Sequence, residues 1–462
     1  MKKSPNSTNN PISESSLTMP KKSRTELDQL VATLTSTSQF TDTDVQYMQR
    51  AIALAQQGRF TTAPNPNVGC VLVKAGQILG EGFHLRAGEP HAEVHALNAA
   101  ASAADSEVQG ATCYVTLEPC SHYGRTPPCA AALVKAQVSE VVIAMVDPNP
   151  KVAGNGIAIL IAAGIKVRIG LLSDQAHALN PGFILRMREQ RPFVRLKMAA
   201  SLDGRTALKN GESKWITGPA ARSDVQVYRA QANAILSTAS TVMMDDASLN
   251  VRYSELGASQ ADYPLENPFA KSKQPLTQSN QSQVRQPIRV VLDNHRRLDT
   301  HSASSASALK LFAQPGKILL INGTEDGVDA IENNVDGIAN NVNGVAHDPA
   351  SATIMMDESV SRIEIGRDSH HNIDLNQLMK TLAQQDINDL WVEAGATLAG
   401  ALLENKLVDE IIIYLAPKLM GDSARGLAVL SELTDMAQVP QFSFTDITQV
   451  GDDLRITAKP EY

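Results

Sequence analysis

Short apolar runs rich in β-branched residues alternate with stretches of helical periodicity between about residues 41 and 172. Runs of that length and composition are typical of buried strands. The predicted strands cover residues 68–73, 112–117, 141–146 and 165–171, and the predicted helices between them cover residues 91–101, 128–136 and 156–163. A first helix is expected to begin after residues 41–43, which supply its cap. The alternation predicts an α/β domain over residues 41–172, with a sheet flanked by helices.

A second α/β block follows Arg191-Pro192, and residues 173–191 predict a helix that connects the two blocks. Its predicted strands cover residues 193–199, 234–236, 288–293, 317–321, 389–393 and 410–416, and its predicted helices cover residues 220–231, 376–385 and 396–405. Two polar segments near residues 255–286 and 323–352 predict surface insertions or mobile loops. The second domain is therefore expected to span residues 192–462.

Residues 1–40 are rich in Ser, Thr, Asn and Lys, and Phe40 is their first aromatic residue. Such a segment buries too little apolar surface to offset the entropy lost on ordering. The sequence therefore predicts a disordered polar tail over residues 1–40.

Composition and charge narrow the classes of partner. The 462 residues carry a net charge of −8, which disfavours nonspecific binding to nucleic acid, and aromatic residues make up only 4%. No apolar run approaches the roughly 20 residues of a membrane helix, and the polar N-terminus lacks the apolar core of a signal peptide. Four cysteines in so long a chain do not make a disulfide scaffold. We expect a cytoplasmic protein that binds neither nucleic acid nor membrane.

The strongest chemical signal is His91-Ala-Glu93 together with Cys120 and Cys129. One His and two Cys supply three ligands of a tetrahedral Zn²⁺ and leave the fourth position for water, whose pKa zinc lowers to about 7. Glu93 follows His91 by two residues and can transfer a proton from that water to a departing amine. The H-x-E and P-C pattern is that of zinc deaminases. The two cysteines are separated by eight residues rather than two, so the loop between them is expected to serve a particular role.

Other interpretations of these and neighbouring residues remain open. The site could hold a structural zinc with His95 or His122 as fourth ligand, or no zinc at all with buried thiols. Cys70 and Cys113 lie in apolar strands and are expected in the core. Asn65, in a Pro- and Asn-rich loop over residues 62–69, can present the donor and acceptor that the amide edge of a heterocycle needs, or can simply form a turn. His84, His122 and Arg125 are candidates for phosphate or ring contacts, or are solvated loop residues.

The second block carries weaker signals. It has no G-x-G-x-x-G after a first strand, so a Rossmann site is not supported. Gly395 instead joins a strand to a helix, where backbone amides can hold a phosphate. Trp215 can stack on a nicotinamide or anchor the core. Arg229 and Arg252 can each bind a phosphate through two hydrogen bonds, or can simply be charged surface residues.

Together these segments resemble a known family, the bifunctional riboflavin-biosynthesis deaminase–reductases of bacteria. The matching segments are residues 64–69, 91–93, 118–129, 147–150, 201–205, 211–217, 245–246 and 392–395, and the resemblance extends over about residues 43–460. The long cysteine spacer and the order of the two blocks make it specific. This sequence departs from the family in lacking glycines over residues 236–241 and in placing Ala247 after the Asp245-Asp246 pair.

The resemblance implies a cytidine-deaminase-like α/β/α sandwich followed by a dihydrofolate-reductase-like α/β domain. The first would remove the 2-amino group of a diaminopyrimidinone ribosylamine phosphate with one Zn²⁺, and the second would reduce the ribosyl group to ribityl with NADPH. Homo-oligomers are expected. NADP-binding positions carried over are Ala199, Trp215, Thr241, Asp245, Asn294, Gly395, Ala396, Thr397, Leu398, Ala399, Gly400 and Ala401. Positions carried over for the ribosylamine phosphate are Ser213, Arg229, Leu249, Arg252 and Glu393.

Two other functions remain as alternatives. One is a zinc-dependent nucleoside or tRNA deaminase with a non-catalytic second domain, and the other is a zinc-stabilised scaffold without activity. Binding of NADPH by the second block would separate the first alternative from the bifunctional enzyme. Deletion of residues 1–40 is expected to leave both activities intact, because nothing there resembles the family.

Overall fold

The computed structural model describes residues 23–102, 107–121, 128–150, 152–270, 284–301, 308–324 and 359–462. Within this part the chain divides into two compact units. The first comprises the described residues up to Ala55, Val68–Phe83 and Pro90–His177, and the second comprises Gln56–Asn67, His84–Glu89 and Ala178–Tyr462. Asn65 and His84 thus belong to the second unit.

The first unit contains a five-stranded mixed sheet with the strand order β2-β1-β3-β4-β5. Its helices are α1 (Arg24–Thr37), α2 (Asp42–Gln56), α3 (Ala92–Ser102), α4 (Cys129–Lys135), α5 (Asn155–Ala162) and α6 (Ser173–Leu179), and its strands are β1 (Gly69–Lys74), β2 (Gln77–Phe83), β3 (Thr112–Val115), β4 (Glu140–Ile143) and β5 (Lys166–Ile169). Strand β1 runs antiparallel to β2 and β3, whereas β3, β4 and β5 are parallel. The four strands predicted here are present, and β2 is an additional one.

Helix α3, which carries Glu93, packs closely on β2 because both surfaces are made of small residues. Ala92, Ala96 and Ala100 are fully buried at a spacing of four along the helix. A Cβ at Gly82 would lie 2.4 Å from the carbonyl oxygen of Ala92, so glycine is required for this approach. The close packing fixes the start of α3 beside the end of β2.

Helix α1 corrects the prediction of a disordered tail over residues 1–40, of which residues 1–22 lie outside the described part. Ser23 and Glu26 form a capping box at its N-terminus. Leu27 is buried, and Arg24 donates hydrogen bonds from Nη1 to the carbonyl oxygens of Pro150 and Ala153. The helix is mostly polar, so its composition resembles that of a tail, but the buried Leu27, the capping box and the Arg24 hydrogen bonds hold it in place.

The second unit contains a nine-stranded sheet with the order β11-β10-β9-β8-β12-β6-β13-β16-β15. Its strands are β6 (Phe193–Ser201), β7 (Arg205–Ala207), β8 (Ala234–Thr238), β9 (Ile288–Leu292), β10 (Ile318–Gly323), β11 (Val360–Ile365), β12 (Asp389–Glu393), β13 (Glu410–Ala416), β14 (Arg425–Gly426), β15 (Gln441–Val450) and β16 (Asp453–Glu461). Its helices are α7 (Pro181–Glu189), α8 (Pro219–Gln231), α9 (Ala239–Asp245), α10 (Lys310–Ala313), α11 (Leu375–Gln384) and α12 (Ala396–Glu404). The predicted connecting helix is thus two helices, α6 and α7.

Seven parallel strands, from β11 to β13, form most of this sheet, and the antiparallel hairpin β15–β16 completes one edge. Because parallel strands share one direction, their carboxyl ends lie along one edge, where α/β proteins bind ligands. Two short segments near the first predicted insertion form 3₁₀ turns, and residues 271–283 lie outside the described part, as does most of the second insertion. None of the described helices has the length and apolar character of a membrane span.

Candidate active sites

His91, Cys120 and Cys129 converge in the first unit. Their potential ligand atoms all lie within 4.8 Å of one another. Nδ1 of His91 is 3.3 Å from Sγ of Cys129 and 3.6 Å from Sγ of Cys120. The backbone N–H of Cys129, at the start of α4, donates to Sγ of Cys120 over 3.2 Å. One imidazole nitrogen and two sulfurs form a donor set that Zn²⁺ prefers, so the residues present fit a zinc ion.

The electrostatics of the cluster favour a thiolate at Cys120. The hydrogen bond from the Cys129 thiol, opposed by burial and assisted by His91, lowers the pKa of Cys120 to about 4. The hydrogen bond between His91 and Cys120 raises the pKa of the His91 imidazole. A thiolate is the form of cysteine that binds metal. One of the two sulfurs is therefore held in the form that binds metal.

Glu93 lies buried against this cluster. Its carboxyl is a hydrogen-bond partner of the Cys129 thiol, and burial followed by the charge of Cys120 raises the pKa of Glu93 to about 7. A carboxyl with that pKa both accepts and releases a proton near neutrality. His95, two residues further along α3, is buried, but the metal-binding group formed by the described residues does not include it. His122 and Arg125 lie outside the described residues.

Glu118 is a site residue that the sequence did not single out. Its carboxylate accepts hydrogen bonds from the backbone N–H groups of Asp147, Gly154, Gly156 and Ile157. Gly156 is required here, because a Cβ would lie 2.0 Å from the carbonyl oxygen of Pro119. The bonds tie the segment leading to Cys120 to the start of α5. The sequence signal that could have identified Glu118 is its position directly before Pro119-Cys120.

Cys70 and Cys113 lie in β1 and β3 and are completely buried, with their sulfurs 3.5 Å apart. The expectation that both are core residues is met. Asn65 donates from Nδ2 toward Nε2 of His84 over 3.0 Å, which joins two of the predicted loop residues within the second unit.

The second unit brings Arg229 and Glu393 together, two positions predicted for the ribosylamine phosphate. Nε and Nη2 of Arg229 donate to Oε1 and Oε2 of Glu393 over 2.6 and 2.7 Å. Nε1 of Trp391 also donates to Oε1 of Glu393. Lys197, on the neighbouring strand β6, is a further member that the sequence did not single out; burial lowers its pKa while the Glu393 charge opposes that change. A largely buried group with one carboxylate and two cations results.

The remaining predicted substrate positions are less closely connected. Arg252 makes two hydrogen bonds of 2.6 Å to Glu255. Leu249 is buried with a positive φ of 49°, so it holds a turn. Ser213 is half-buried in the loop before Trp215.

The predicted cofactor positions lie along the carboxyl edge of the sheet. Ala199 lies in β6, Thr241 and Asp245 lie in α9 after β8, and Asn294 follows β9. Trp215 is 67% exposed, with the Arg222 guanidinium 4.5 Å from its ring centroid. The interpretation of Trp215 as an anchor in the core is therefore wrong.

Gly395 is the N-cap of α12 and offers no side-chain cap, and apart from its two chain neighbours no atom of the described residues lies within 4 Å of where its Cβ would be. Gly395 and Thr397 are exposed there. Leu398, Ala399 and Gly400, in contrast, are buried. A phosphate can therefore reach the entrance of this turn, while its later residues pack against the core.

Comparisons with known proteins match both parts of the chain to protein families. Residues 41–145 match the family model of the cytidine and deoxycytidylate deaminase zinc-binding region, and residues 192–456 match that of the RibD C-terminal domain. The matches define a zinc-binding deaminase domain followed by a reductase domain.

Relatives of full length are similar over nearly all of the chain. The riboflavin biosynthesis protein RibD of Haemophilus influenzae is 46% identical over 424 residues, 92% of this chain and 99% of the relative. That of Escherichia coli is 48% identical over 412 residues, 89% and 98% of the two chains. A solved structure of Acinetobacter baumannii RibD is 42% identical, with a TM-score of 0.72 over 91% of this chain and 99% of that one.

A second solved structure, from Thermotoga maritima, is titled a diaminohydroxyphosphoribosylaminopyrimidine deaminase/5-amino-6-(5-phosphoribosylamino)uracil reductase. It is 28% identical, with a TM-score of 0.69 over 91% of this chain and 99% of that one. The chain belongs to the RibD family. It is a bifunctional deaminase and reductase of riboflavin biosynthesis with a zinc-binding deaminase domain and an NADPH-dependent reductase domain. The predictions of family, fold class, activities and cofactors are confirmed, and a deaminase with a non-catalytic second domain is not favoured.

Proposed function

We propose that the first unit deaminates 2,5-diamino-6-ribosylamino-4(3H)-pyrimidinone 5′-phosphate, with His91, Cys120 and Cys129 as zinc ligands and Glu93 as the proton-transfer residue. The convergence of three ligand atoms within 4.8 Å beside a buried carboxyl carries this proposal. Zinc held by these three residues would supply a bound water of lowered pKa.

Glu93 acts on the protons of the hydrolysis. Its carboxylate accepts a proton from the attacking water and delivers it to the amino group as ammonia departs. Burial excludes bulk water, which would otherwise compete for that proton.

The second unit would bind NADPH and the product of the first step along the carboxyl edge of the sheet. NADPH supplies the hydride for reduction of the opened ribosylamine. The amides at Gly395 would hold its phosphates, and Trp215 and Ala199 would hold its nicotinamide. Thr241, Asp245 and Asn294 would line the same edge. The protein's contribution is orientation and electrostatics.

Arg229, Arg252, Ser213, Leu249 and Glu393 would hold the ribosylamine phosphate. Both arginines already face carboxylates, Glu393 and Glu255. Arg252 is the more exposed of the two, so its pair with Glu255 is the easier one for a phosphate to displace. Glu393, fixed by Arg229 and Trp391, would bind the sugar hydroxyls or the cationic imine.

We also propose a cytoplasmic location and assembly into homo-oligomers. Four free cysteines, two of them 3.5 Å apart, are compatible with a reducing compartment. Phe444 and Ile447, 68% and 59% exposed, lie on the edge strand β15, and an apolar edge strand is suited to pairing with a second copy.

The test incubates the purified chain with the diaminopyrimidinone ribosylamine phosphate and follows masses with and without NADPH. We expect release of ammonia without NADPH and a gain of two hydrogens only with it. Glu93→Gln should retain zinc and lose deamination by at least a hundredfold, in line with the usual weight of a general acid–base. Glu81→Gln, at a surface ion pair with Arg50, is the matched control and should change neither. Unchanged deamination in Glu93→Gln would refute the assigned role.

A further inference from the structure

Arg297 and Ser240 form a polar pair at the carboxyl edge of the large sheet. Nη2 of Arg297 donates to Oγ of Ser240 over 2.7 Å, and both side chains are exposed. Arg297 follows β9, and Ser240 lies in the first turn of α9 after β8. The two residues therefore connect neighbouring strand ends directly beside Thr241 and Asn294.

The guanidinium of Arg297 has no acidic partner among the side chains that the structure describes, whereas nearby charges are paired. Arg296 is bound to Glu364 over 2.7 Å, and Lys310 is bound to Asp246 over 2.9 Å. Within the described part of the chain, Arg297 is therefore a positive charge at this edge that is available for an anion. A guanidinium beside a hydroxyl is a donor set suited to a phosphate monoester.

The backbone holds Arg297 in place. Asp293 is completely buried, and its carboxylate accepts hydrogen bonds from the N–H groups of Arg297 and Leu298 over 2.9 and 2.8 Å. Nδ2 of Asn322, on β10, donates to the carbonyl oxygen of Asp293 over 2.7 Å. The turn after β9 is thus fixed to two strands, so the guanidinium starts from a preorganised backbone.

The position relative to Gly395 identifies which phosphate this is. Gly395 follows β12, and β8 separates β12 from β9 in the sheet. Two strand spacings amount to about 10 Å. This distance is similar to the length of a ribose that carries one phosphate group on each side. With the pyrophosphate at Gly395, the adenosine ribose would lie over β8 with its second phosphate at Arg297.

We infer that Arg297 and Ser240 bind the 2′-phosphate of NADPH and thereby set the preference of the reductase for NADPH over NADH. The inference rests on the cofactor positions proposed above, and it assigns a specificity role to two residues outside them. NADH lacks this phosphate and makes no use of the pair. Arg297 and Ser240 should therefore contribute to the binding of NADPH and not to the binding of NADH.

The experiment compares Arg297→Ala, Arg297→Lys and Ser240→Ala with the unmodified full chain. KM and kcat for NADPH and for NADH are measured in the reductase reaction, together with the affinity for 2′,5′-ADP. Arg297→Ala should raise KM for NADPH by about ten- to a hundredfold, the usual range for losing a hydrogen bond to a charged group. KM for NADH and kcat at saturating NADPH should be unchanged. Arg297→Lys should fall between the two, and Ser240→Ala should shift KM in the same direction but by less.

Arg296→Ala is the matched control, since Arg296 is adjacent, exposed and already paired with Glu364. It should leave both cofactors unaffected. Equal weakening of NADPH and NADH by Arg297→Ala would overturn the inference, and so would unchanged NADPH binding. Activity with NADH reports a folded reductase in each variant, so loss of that activity would count against the cofactor site as a whole and not against the 2′-phosphate assignment alone.

Discussion

Arg229 and Glu393 form a two-point ion pair across 164 residues of sequence, with distances of 2.6 and 2.7 Å. Trp391 donates a third hydrogen bond to the same carboxylate. A carboxylate held in this way cannot rotate freely. Its geometry is therefore set before any substrate arrives.

Replacing Glu393 by Gln should abolish reduction and leave deamination unchanged. The substitution keeps the shape but leaves Arg229 buried without a counter-charge. Breaking a buried pair from one side costs about 3 kcal/mol or more, so the free energy of unfolding should fall by about that amount. Assays of the two half-reactions and urea unfolding would measure both effects. The control Glu364→Gln, at an exposed pair, should change the free energy of unfolding by less than about 1 kcal/mol.

The same pair should make stability depend on acid pH. Burial alone would raise the pKa of Glu393, but the Arg229 charge and its hydrogen bonds outweigh burial and lower it from 4.5 to about 2. Because the folded state holds the carboxylate ionised, the stabilisation is complete above about pH 4.5 and is lost as the pH falls toward 2. The unfolding free energy of the unmodified chain should therefore decline over this window more steeply than that of Glu393→Gln. Parallel pH profiles would contradict the assigned shift.

Removing zinc should separate the two activities. The three candidate ligands His91, Cys120 and Cys129 all belong to the first unit, and the reductase positions belong to the second. Dialysis against a chelator should abolish deamination while the deaminated intermediate is still reduced with NADPH. Zinc content and the two half-reactions, assayed separately, would measure this. Restored zinc should recover deamination and magnesium should not, since sulfur ligands select zinc. Deamination that persists in metal-free protein would exclude the zinc site as its origin.

The zinc cluster could be predicted from sequence because its chemistry is local. His91 and Glu93 lie at the start of α3 and Cys129 at the start of α4, positions that the strand–helix alternation already indicates. The ion pair of Arg229 with Glu393 could not be predicted, because neither residue has a signal that names its distant partner. Lys197 reads in sequence as an ordinary charge in an alternating strand, and only the fold places it beside Glu393.

The fold was predicted where strands are apolar on both faces. Strand β12 has the predicted bounds because its central residues are all buried. Strand β2 was missed because Gly80 and Gly82 weaken a strand pattern, yet these glycines are what α3 packs against. Strand β15 was missed because most of its residues are exposed, so no buried face marks it.

A buried ion pair also stabilises the first unit. Asp44 accepts hydrogen bonds of 2.9 Å from both Nη atoms of Arg168 and one of 2.7 Å from the Tyr114 hydroxyl. Replacing Asp44 by Asn should lower the free energy of unfolding by about 3 kcal/mol. Urea unfolding monitored together with deamination would measure it. The exposed pair of Arg50 with Glu81 is the control, and Arg50→Ala should cost less than about 1 kcal/mol.

Helix α1 changes the expectation for truncation. Leu27 is buried, and a Cβ at Gly154 would lie 3.1 Å from the Cβ of Leu27. The helix therefore packs on the turn at Gly154, whose backbone amide donates a hydrogen bond to Glu118. Leu27→Ala should therefore lower the unfolding free energy of the first unit by about 2–3 kcal/mol, the range for a partly relaxed core cavity. Gln29→Ala, on the exposed face of the same helix, should be neutral.

Two truncations extend this test to activity. A chain that starts at Ser23 retains every α1 contact described above and should keep both activities. A chain that starts at Thr41 loses those contacts, so its deaminase should unfold at a lower urea concentration while its reductase is unchanged. Glu118 connects this loss to the active site, because its hydrogen bonds to Gly154 and Gly156 hold the segment that leads to Cys120. Equal deaminase stability in the two truncations would show that α1 packs on the first unit without stabilising it.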